Sequence, residues 1–267
     1  MADESKAYVV QRNGEVADRD DLAGLAFAGY AHFTAMQVRG GKIRGLDLHL
    51  ERLRFASLRL FGNAMPDDRV RGYLRAAIEA GPSDLTLMAT MYSRAGEFTA
   101  AATHAEPEVL VRTSPADNGP AGPLELAAVE HERFMPTVKH VGELAKTYFR
   151  RQPADDTAFI DRQGRLSEAT IWNLAFWDGE AVIWPRAEVL IGTTMGIVRR
   201  QLDRLGIPQC TREVTLADLP FLAGAVVMNS WSPGVALRRI DTVPLPDAPD
   251  FMTLLHRAYE AEPFVSP

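Results

Sequence analysis

Only four of the chain's twenty-nine Lys and Arg residues are lysines, Lys6, Lys42, Lys139 and Lys146. Two of the four stand within eight residues of each other, in FMPTVKHVGELAKTYFRR, residues 134–151. Arginine keeps its proton under ordinary conditions, whereas a lysine can give up its own and act as a nucleophile. A chain that draws nearly all its positive charge from arginine, yet keeps two lysines here, is a candidate for amine chemistry, and on spacing alone both remain open. A second feature is Glu168 in RLSEATIWN, a carboxylate placed immediately before an apolar run. A third is LIGTTMGIVRR, where Gly192, Thr193 and Thr194 open a helical pattern. Backbone N–H groups and hydroxyls at a helix start can hold a phosphate, although a threonine N-cap accounts for the same residues.

Together these parts match one cofactor. An amine able to form a Schiff base, a carboxylate for a ring nitrogen and a cradle for a phosphate are what pyridoxal 5′-phosphate requires. Other chemistries find no support. The chain has no GxxxxGK[ST], no GxGxxG after a strand, no HExxH and no GxSxG. Its histidines (32, 49, 104, 131, 140 and 256) are not grouped at metal-ligand spacing and Cys210 is the only cysteine, so no metal site and no disulfide framework are expected. A formal net charge of −6 argues against nucleic acid or an anionic membrane as partner. No apolar run approaches the roughly 20 residues needed to span a bilayer, and the acidic start MADESKAYVV lacks a signal-peptide core. The expectation is a cytoplasmic protein.

The elements that must position these residues are of mixed type. A strand is expected over Phe33–Arg39, followed by a tight turn at Gly40-Gly41. Leu46, Leu50, Leu53 and Leu60 share one face of a helix that Gly62 stops, and a second helix runs from Asp67 to Ala80, stopped by Gly81-Pro82. LTLMATMYSR and EVLVRT read as strands. TSPADNGPAGP, residues 113–123, has three prolines, two glycines and no apolar periodicity, which reads as a connection between domains. Beyond it, LELAAVEHE reads as a strand and residues 139–151 as a helix. Asp178-Gly179 signals a two-residue hairpin between IWNLAFW and AVIW. TTMGIVRRQLDRLG reads as a helix ending near Gly206, and Thr215-Leu-Ala-Asp218 as a capping box. The expected fold is α/β, with an N-terminal domain over 1–112, a linker over 113–123 and a larger C-terminal domain over 124–267.

In this order the motifs resemble those of the class IV, or fold-type IV, pyridoxal-phosphate enzymes. That family includes branched-chain and D-amino-acid aminotransferases, (R)-amine transaminases and 4-amino-4-deoxychorismate lyase. HFTAMQVRGGKIRGLDLHLERL is similar to the family's strand, glycine turn and D-x-H-L-x-R-L helix, and VKHVGEL to its lysine segment. AFIDRQGRLSEATIWNLAFW is similar to D-x-x-G-x-[IVL]-[ST]-E-x-x-x-x-N, LIGTTMGIVRRQLDRLGI to the L-x-G-[IV]-T-R segment, and VVMNSWSPGVALRRID to the last cofactor loop. The resemblance implies a small α/β domain and a larger pseudo-barrel domain with the cofactor between them, and a homodimer. It implies that Lys139 forms the Schiff base and moves the substrate proton, and that Lys146 is an ordinary helix lysine. Glu168 would pair with the ring nitrogen, while Arg52, Thr193, Thr194 and Ser230 would hold the phosphate. The backbone at Ser230 and Trp231 would face the substrate carboxylate. Arg94 stands near where some members carry an arginine for that group, and it reads equally as a surface residue after a strand.

The chain departs from the pattern in places. The Asn-Tyr that usually follows the lysine is absent, and Val141-Gly142-Glu143-Leu144 stands there instead. Tyr148, four residues past Leu144, is the candidate to replace the missing phenol. Lys139-His140 is similar to the lyase's Lys-His pair, without the Asn-Arg that follows it. Thr194-Met195 stands for Thr-Arg, and Ala236 for a usual proline. The resemblance implies a transaminase that moves an amino group from an amino acid or amine to a 2-oxo acid. The alternatives are a lyase that releases pyruvate and a non-catalytic protein that kept the fold.

Overall fold

The computed structural model of the chain describes residues 7–26, 29–94 and 106–267. It forms two compact units, one of residues 1–117, 138–142 and 263–267, the other of residues 118–137 and 143–262.

Among the described residues the first unit is built on a seven-stranded antiparallel sheet. In chain order its elements are β1 (Val10–Arg12), β2 (Glu15–Val16), α1 (Arg19–Ala26), β3 (Ala31–Arg39), β4 (Lys42–Arg44), α2 (Leu46–Phe61), α3 (Asp67–Ala80), β5 (Leu85–Tyr92) and β6 (Glu108–Pro115). A last strand from the chain end (β16, Phe264–Val265) pairs with β4 at the sheet edge. β3 alternates buried and half-buried residues, as a strand with one covered face must. Gly40 and Gly41 both take positive φ, 57° and 72°, which lets β3 turn into β4 in two residues. α2 buries Leu46, Leu50, Leu53, Ala56, Leu60 and Phe61, and its last turn closes on Gly62 at φ 68°. Each such large apolar side chain contributes roughly 1.5–3 kcal/mol by leaving water.

The second unit contains a closed barrel. Its elements are β7 (Leu124–Glu130), α4 (Leu144–Phe149), β8 (Asp156–Ile160), β9 (Leu166–Ala169), β10 (Asn173–Trp177), β11 (Val182–Pro185), α5 (Thr193–Arg204), β12 (Gln209–Arg212), β13 (Gly224–Met228), β14 (Val235–Ile240), β15 (Val243–Pro244) and α6 (Pro249–Glu260). Six strands pair in the cycle β10-β13-β14-β7-β8-β9 and back to β10, and β11, β12 and β15 extend the sheet. The barrel interior is lined by alternate residues, including Leu124 and Leu126, Leu174 and Phe176, and Val235 and Leu237. Ala175, Val226 and Met228 point the other way, against Met195, Val198 and Leu202 of α5 and Phe251 and Leu255 of α6. Covered on both faces, β10 and β13 need the near-continuous apolar runs NLAFW and GAVVM.

Some local expectations change. β6 continues through Pro115, three residues into the stretch read as a connection, and the compact units divide after Asp117. The helix expected over 139–151 shrinks to the six residues of α4, because the chain at 139–141 is committed to backbone bonds with β3. The turn between β10 and β11 has four residues rather than two. Trp177 pairs with Val182, and the Asp178 carboxylate accepts the N–H groups of Glu180 at 2.9 Å and Ala181 at 2.7 Å. Those two bonds close the longer loop and hold the Asp178 carboxyl below its ordinary pKa. The Thr215–Asp218 capping box forms, on a 3-10 turn at Leu216–Phe221.

Candidate functional site

In the first unit the candidate residues are mounted on β3. Along β3 the short β4 reaches only Val38 and Arg39, which leaves the Ala31 end of β3 open on that side. Residues 139–141 fill it. Phe33 N–H donates to the Lys139 carbonyl at 2.9 Å, and Val141 N–H donates to the Ala31 carbonyl at 3.0 Å. Lys139 is thereby fixed by its backbone, half-buried, with Nζ 5.0 Å from the centre of the Phe33 ring. Arg52 reaches β3 through α2. Two buried side-chain bonds tie that helix to the strand, His32 Nε2 with Ser57 Oγ at 2.9 Å and Thr34 Oγ1 with His49 Nδ1 at 2.7 Å. Burial pushes both imidazoles down to about 3, so they remain neutral. It also pushes the half-buried Arg52 guanidinium down to about 10, the mark of a cation short of water and suited to an anionic ligand. Arg94 is exposed, two residues after β5.

In the second unit Glu168 stands at the seam of the barrel. It lies directly opposite Asn173 in the β9–β10 pairing. The chain turns between them through residues 169–172, with Ala169 N–H donating to the Trp172 carbonyl at 2.8 Å. The spacing E-x-x-x-x-N is therefore a hairpin register, the first cross-strand pair beyond a four-residue turn. Asn173 Nδ2 then donates to the Leu190 carbonyl at 2.6 Å, and a Cβ at Gly192 would overlap the Asn173 amide oxygen. The carboxylate and the start of α5 are thus braced by one residue.

That helix start is not capped by threonine. Gly192 is the N-cap and makes no side-chain cap bond, while Thr193 and Thr194 lie inside the first turn, both buried. The first bond into the helix runs from Gly196 N–H to the Gly192 carbonyl, so the preceding N–H groups have no carbonyl within the helix. Thr193 Oγ1 is buried without a hydrogen-bond partner among the described residues, which is costly unless something else occupies that place.

Glu168 is 4% exposed and its Oε1 accepts Arg133 Nη1–H at 2.9 Å. No other hydrogen bond reaches this carboxylate among the described residues. Arg133 turns its remaining donors to Glu143, Nε at 2.6 Å and Nη2 at 2.5 Å, and to the Pro136 carbonyl at 3.0 Å. Burial pulls this guanidinium down, but Glu168 and Glu143 more than offset it and hold its proton tighter than usual. Lys146, half-buried on α4, is pulled below the usual lysine range by burial and then by Arg133, against the opposing pull of Glu168, Glu143 and Asp156. Tyr148 is 60% exposed and packs edge-on against Phe149. Ser230 and Trp231 lie in a turn where Asn229 Oδ1 accepts the Trp231 N–H at 2.8 Å, and the Trp231 ring meets Trp172 edge-on. The Trp231 N–H is thus committed within the turn.

The structure therefore places Lys139 on the segment paired to β3 and Arg52 on the helix bonded to that strand in one unit, and Glu168 with Thr193 and Thr194 around Asn173 in the other. Arg133, Glu143, Asn173 and Asn229 are not among the residues expected at the site. The motif spacing could have flagged Asn173, but Arg133 carries no local signal in a chain with this many arginines. Among the described residues no group of acidic, His and Cys side chains could hold a metal, and no helix is long and apolar enough to cross a membrane. A buried orphan hydroxyl at a helix start, a carboxylate with spare acceptor capacity and a desolvated arginine fit pyridoxal 5′-phosphate.

The family model described as amino-transferase class IV matches residues 31–240. No curated protein matches the chain in sequence. In structure it is similar to the T.th. branched-chain amino acid aminotransferase complexed with N-(5′-phosphopyridoxyl)-L-glutamate, with a TM-score of 0.81 and 16% identity over 96% of this chain and 94% of that one. It is similar to the Thermoproteus uzoniensis branched-chain aminotransferase with norvaline, with a TM-score of 0.79 and 19% identity over 94% of each. It is likewise similar to a Legionella pneumophila protein described as a 4-amino-4-deoxychorismate lyase, with a TM-score of 0.78 and 18% identity over 92% of this chain and 95% of that one.

Proposed function

Because the chain belongs to the class IV aminotransferase family, we propose that it is a pyridoxal-phosphate-dependent transaminase, moving an amino group from an amino acid or amine to a 2-oxo acid. The observation that carries this reading is the brace at Asn173, which joins the Glu168 carboxylate to the first turn of α5 within one unit. Thr193, Thr194, Ser230 and Arg52 would hold the phosphate, and Glu168 the ring nitrogen. Bound there, the cofactor would supply an aldehyde for amino groups and a ring that accepts electron density from the substrate Cα. Lys139 would anchor it through Nζ and, once displaced by substrate, hold and return the Cα proton. Its backbone bonds to β3 keep the amine on a rigid mount for that work. Arg94 and the Ser230–Trp231 turn are the proposed contacts for the substrate carboxylate. Tyr148 borders the substrate in this reading, although its exposure argues for a peripheral part.

A second reading, a lyase that releases pyruvate, is supported by the Lys139-His140 pair and by the comparable fold similarity to the Legionella protein. Holding the protein with an amino donor and following the cofactor spectrum separates the two. Donor-dependent conversion to the pyridoxamine form, reversed by a 2-oxo acid, supports the transaminase. Pyruvate released from 4-amino-4-deoxychorismate with no acceptor present would replace it by the lyase. The macromolecular partner proposed is a second copy of the chain, with Phe55 and Leu58, exposed on α2, as apolar candidates for the contact. Light scattering at twice the monomer mass supports that assignment, and a monomer at micromolar concentration opposes it.

A further inference from the structure

The segment that replaces the family's Asn-Tyr is not inert. Glu143, in VGEL, takes two donors of the Arg133 guanidinium, and Arg133 hands a third to Glu168. All three side chains are nearly closed to water, at 12%, 2% and 5% exposure. Ion pairs are weak at the surface, but removing one charge from a buried group of this kind is felt by the rest.

We propose that Glu143 is a positioning residue that sets the charge Glu168 presents to the cofactor's ring nitrogen, so that the altered segment supports the ring through its carboxylate side rather than through a phenol. This rests on the functional reading above. With Glu143 ionised, Arg133 is neutralised from one side and Glu168 keeps its negative charge available. Lys146 and Asp156, which oppose each other, also act here, beside His131, pulled down by burial. The group of Glu143, Glu168, Asp156, Arg133 and Lys146 therefore carries one negative charge in excess, the charge a protonated ring nitrogen needs opposite it. Without Glu143, Arg133 and Glu168 cancel and that excess disappears. Glu168 would still accept a hydrogen bond, but its hold on the ring proton would weaken.

The test uses full-length protein loaded with pyridoxal 5′-phosphate labelled with 15N in the ring, read by its nitrogen chemical shift and by cofactor affinity in dialysis. Wild type is expected to give the shift of a protonated ring. Glu143→Gln, which keeps shape and removes charge, should move the shift toward the unprotonated value and weaken cofactor binding about tenfold, the effect of roughly one charged hydrogen bond. Adding Arg133→Gln to Glu143→Gln should restore the protonated shift, because the competing cation is gone; a merely structural role predicts no such reversal. Should Glu143→Gln not fold, Glu143→Asp, with its carboxylate one methylene further from Arg133, should move the shift the same way by less. Folded variants with the wild-type shift and affinity would overturn the proposal. Wild type that takes up no cofactor would overturn the functional reading itself, and this inference with it.

Discussion

Lys139 and Glu168 are held in opposite ways. Lys139 is placed by its backbone, paired to β3, with Nζ 5.0 Å from the centre of the Phe33 ring, on a strand whose His32 and whose Thr34 partner His49 are uncharged. Glu168 is placed by a hairpin register and then enclosed in charge, with Arg133 on its carboxylate and Glu143 behind it. The difference suits the tasks proposed for them. An amine that must lose and regain a proton is better mounted on a scaffold whose own charge does not change, whereas a carboxylate that must stay negative benefits from a network that fixes its charge.

Replacing each lysine in turn breaks the comparison most sharply. Lys139→Ala should lower transamination on the order of a thousandfold or more, since nucleophile and proton carrier go together. Lys146→Met should cost less than about tenfold, because Lys146 acts only through the charge around it. Equal losses in steady-state rates would remove the distinction drawn between them. Next in size is Gly192→Ala. The new methyl would overlap the Asn173 amide oxygen, and the relaxation should cost roughly 1–3 kcal/mol in urea unfolding together with a loss of cofactor affinity.

Acid should strain the neutral mount of the first unit. His32 and His49 titrate near 3 when folded and near 6.5 when unfolded, so between those values the unfolded chain binds more protons. Stability should therefore be unaffected by them above about 6.5 and fall as pH drops toward 3, by at most about 1.4 kcal/mol per pH unit for each histidine. Denaturant melts at pH 7 and pH 5 check this, and a flat profile would refute the neutral assignment. The smallest effect belongs to Thr193→Val. Removing a buried orphan hydroxyl should leave the cofactor-free protein as stable or slightly more so, while the loss of one phosphate contact weakens cofactor binding by roughly fivefold to tenfold.

What can be read from the sequence follows the range of the interactions. The β3–β4 turn is legible because two adjacent glycines with positive φ leave few alternatives, and α2 because its leucines and Gly62 act within a few residues of one another. The helix expected over 139–151 is too long because its first residues pair with β3, more than a hundred positions earlier. Composition cannot announce that pairing. The β10–β11 loop departs from expectation for a local reason, since the Asp178 side chain closes a longer turn than the Asp-Gly pair suggests. Among the candidate residues, Glu168 is visible as a carboxylate before an apolar run. Arg133 becomes visible only in space, because nothing in HERFMPT distinguishes a surface arginine from one buried between two carboxylates.

The central claim is that the two lysines of the 134–151 stretch are not interchangeable and that Lys139 is the one that carries the cofactor. Borohydride reduction of the yellow, cofactor-loaded protein, followed by peptide mapping, tests it most directly. The account predicts a phosphopyridoxyl label on Lys139 alone; a label on Lys146, or none on either, would contradict it.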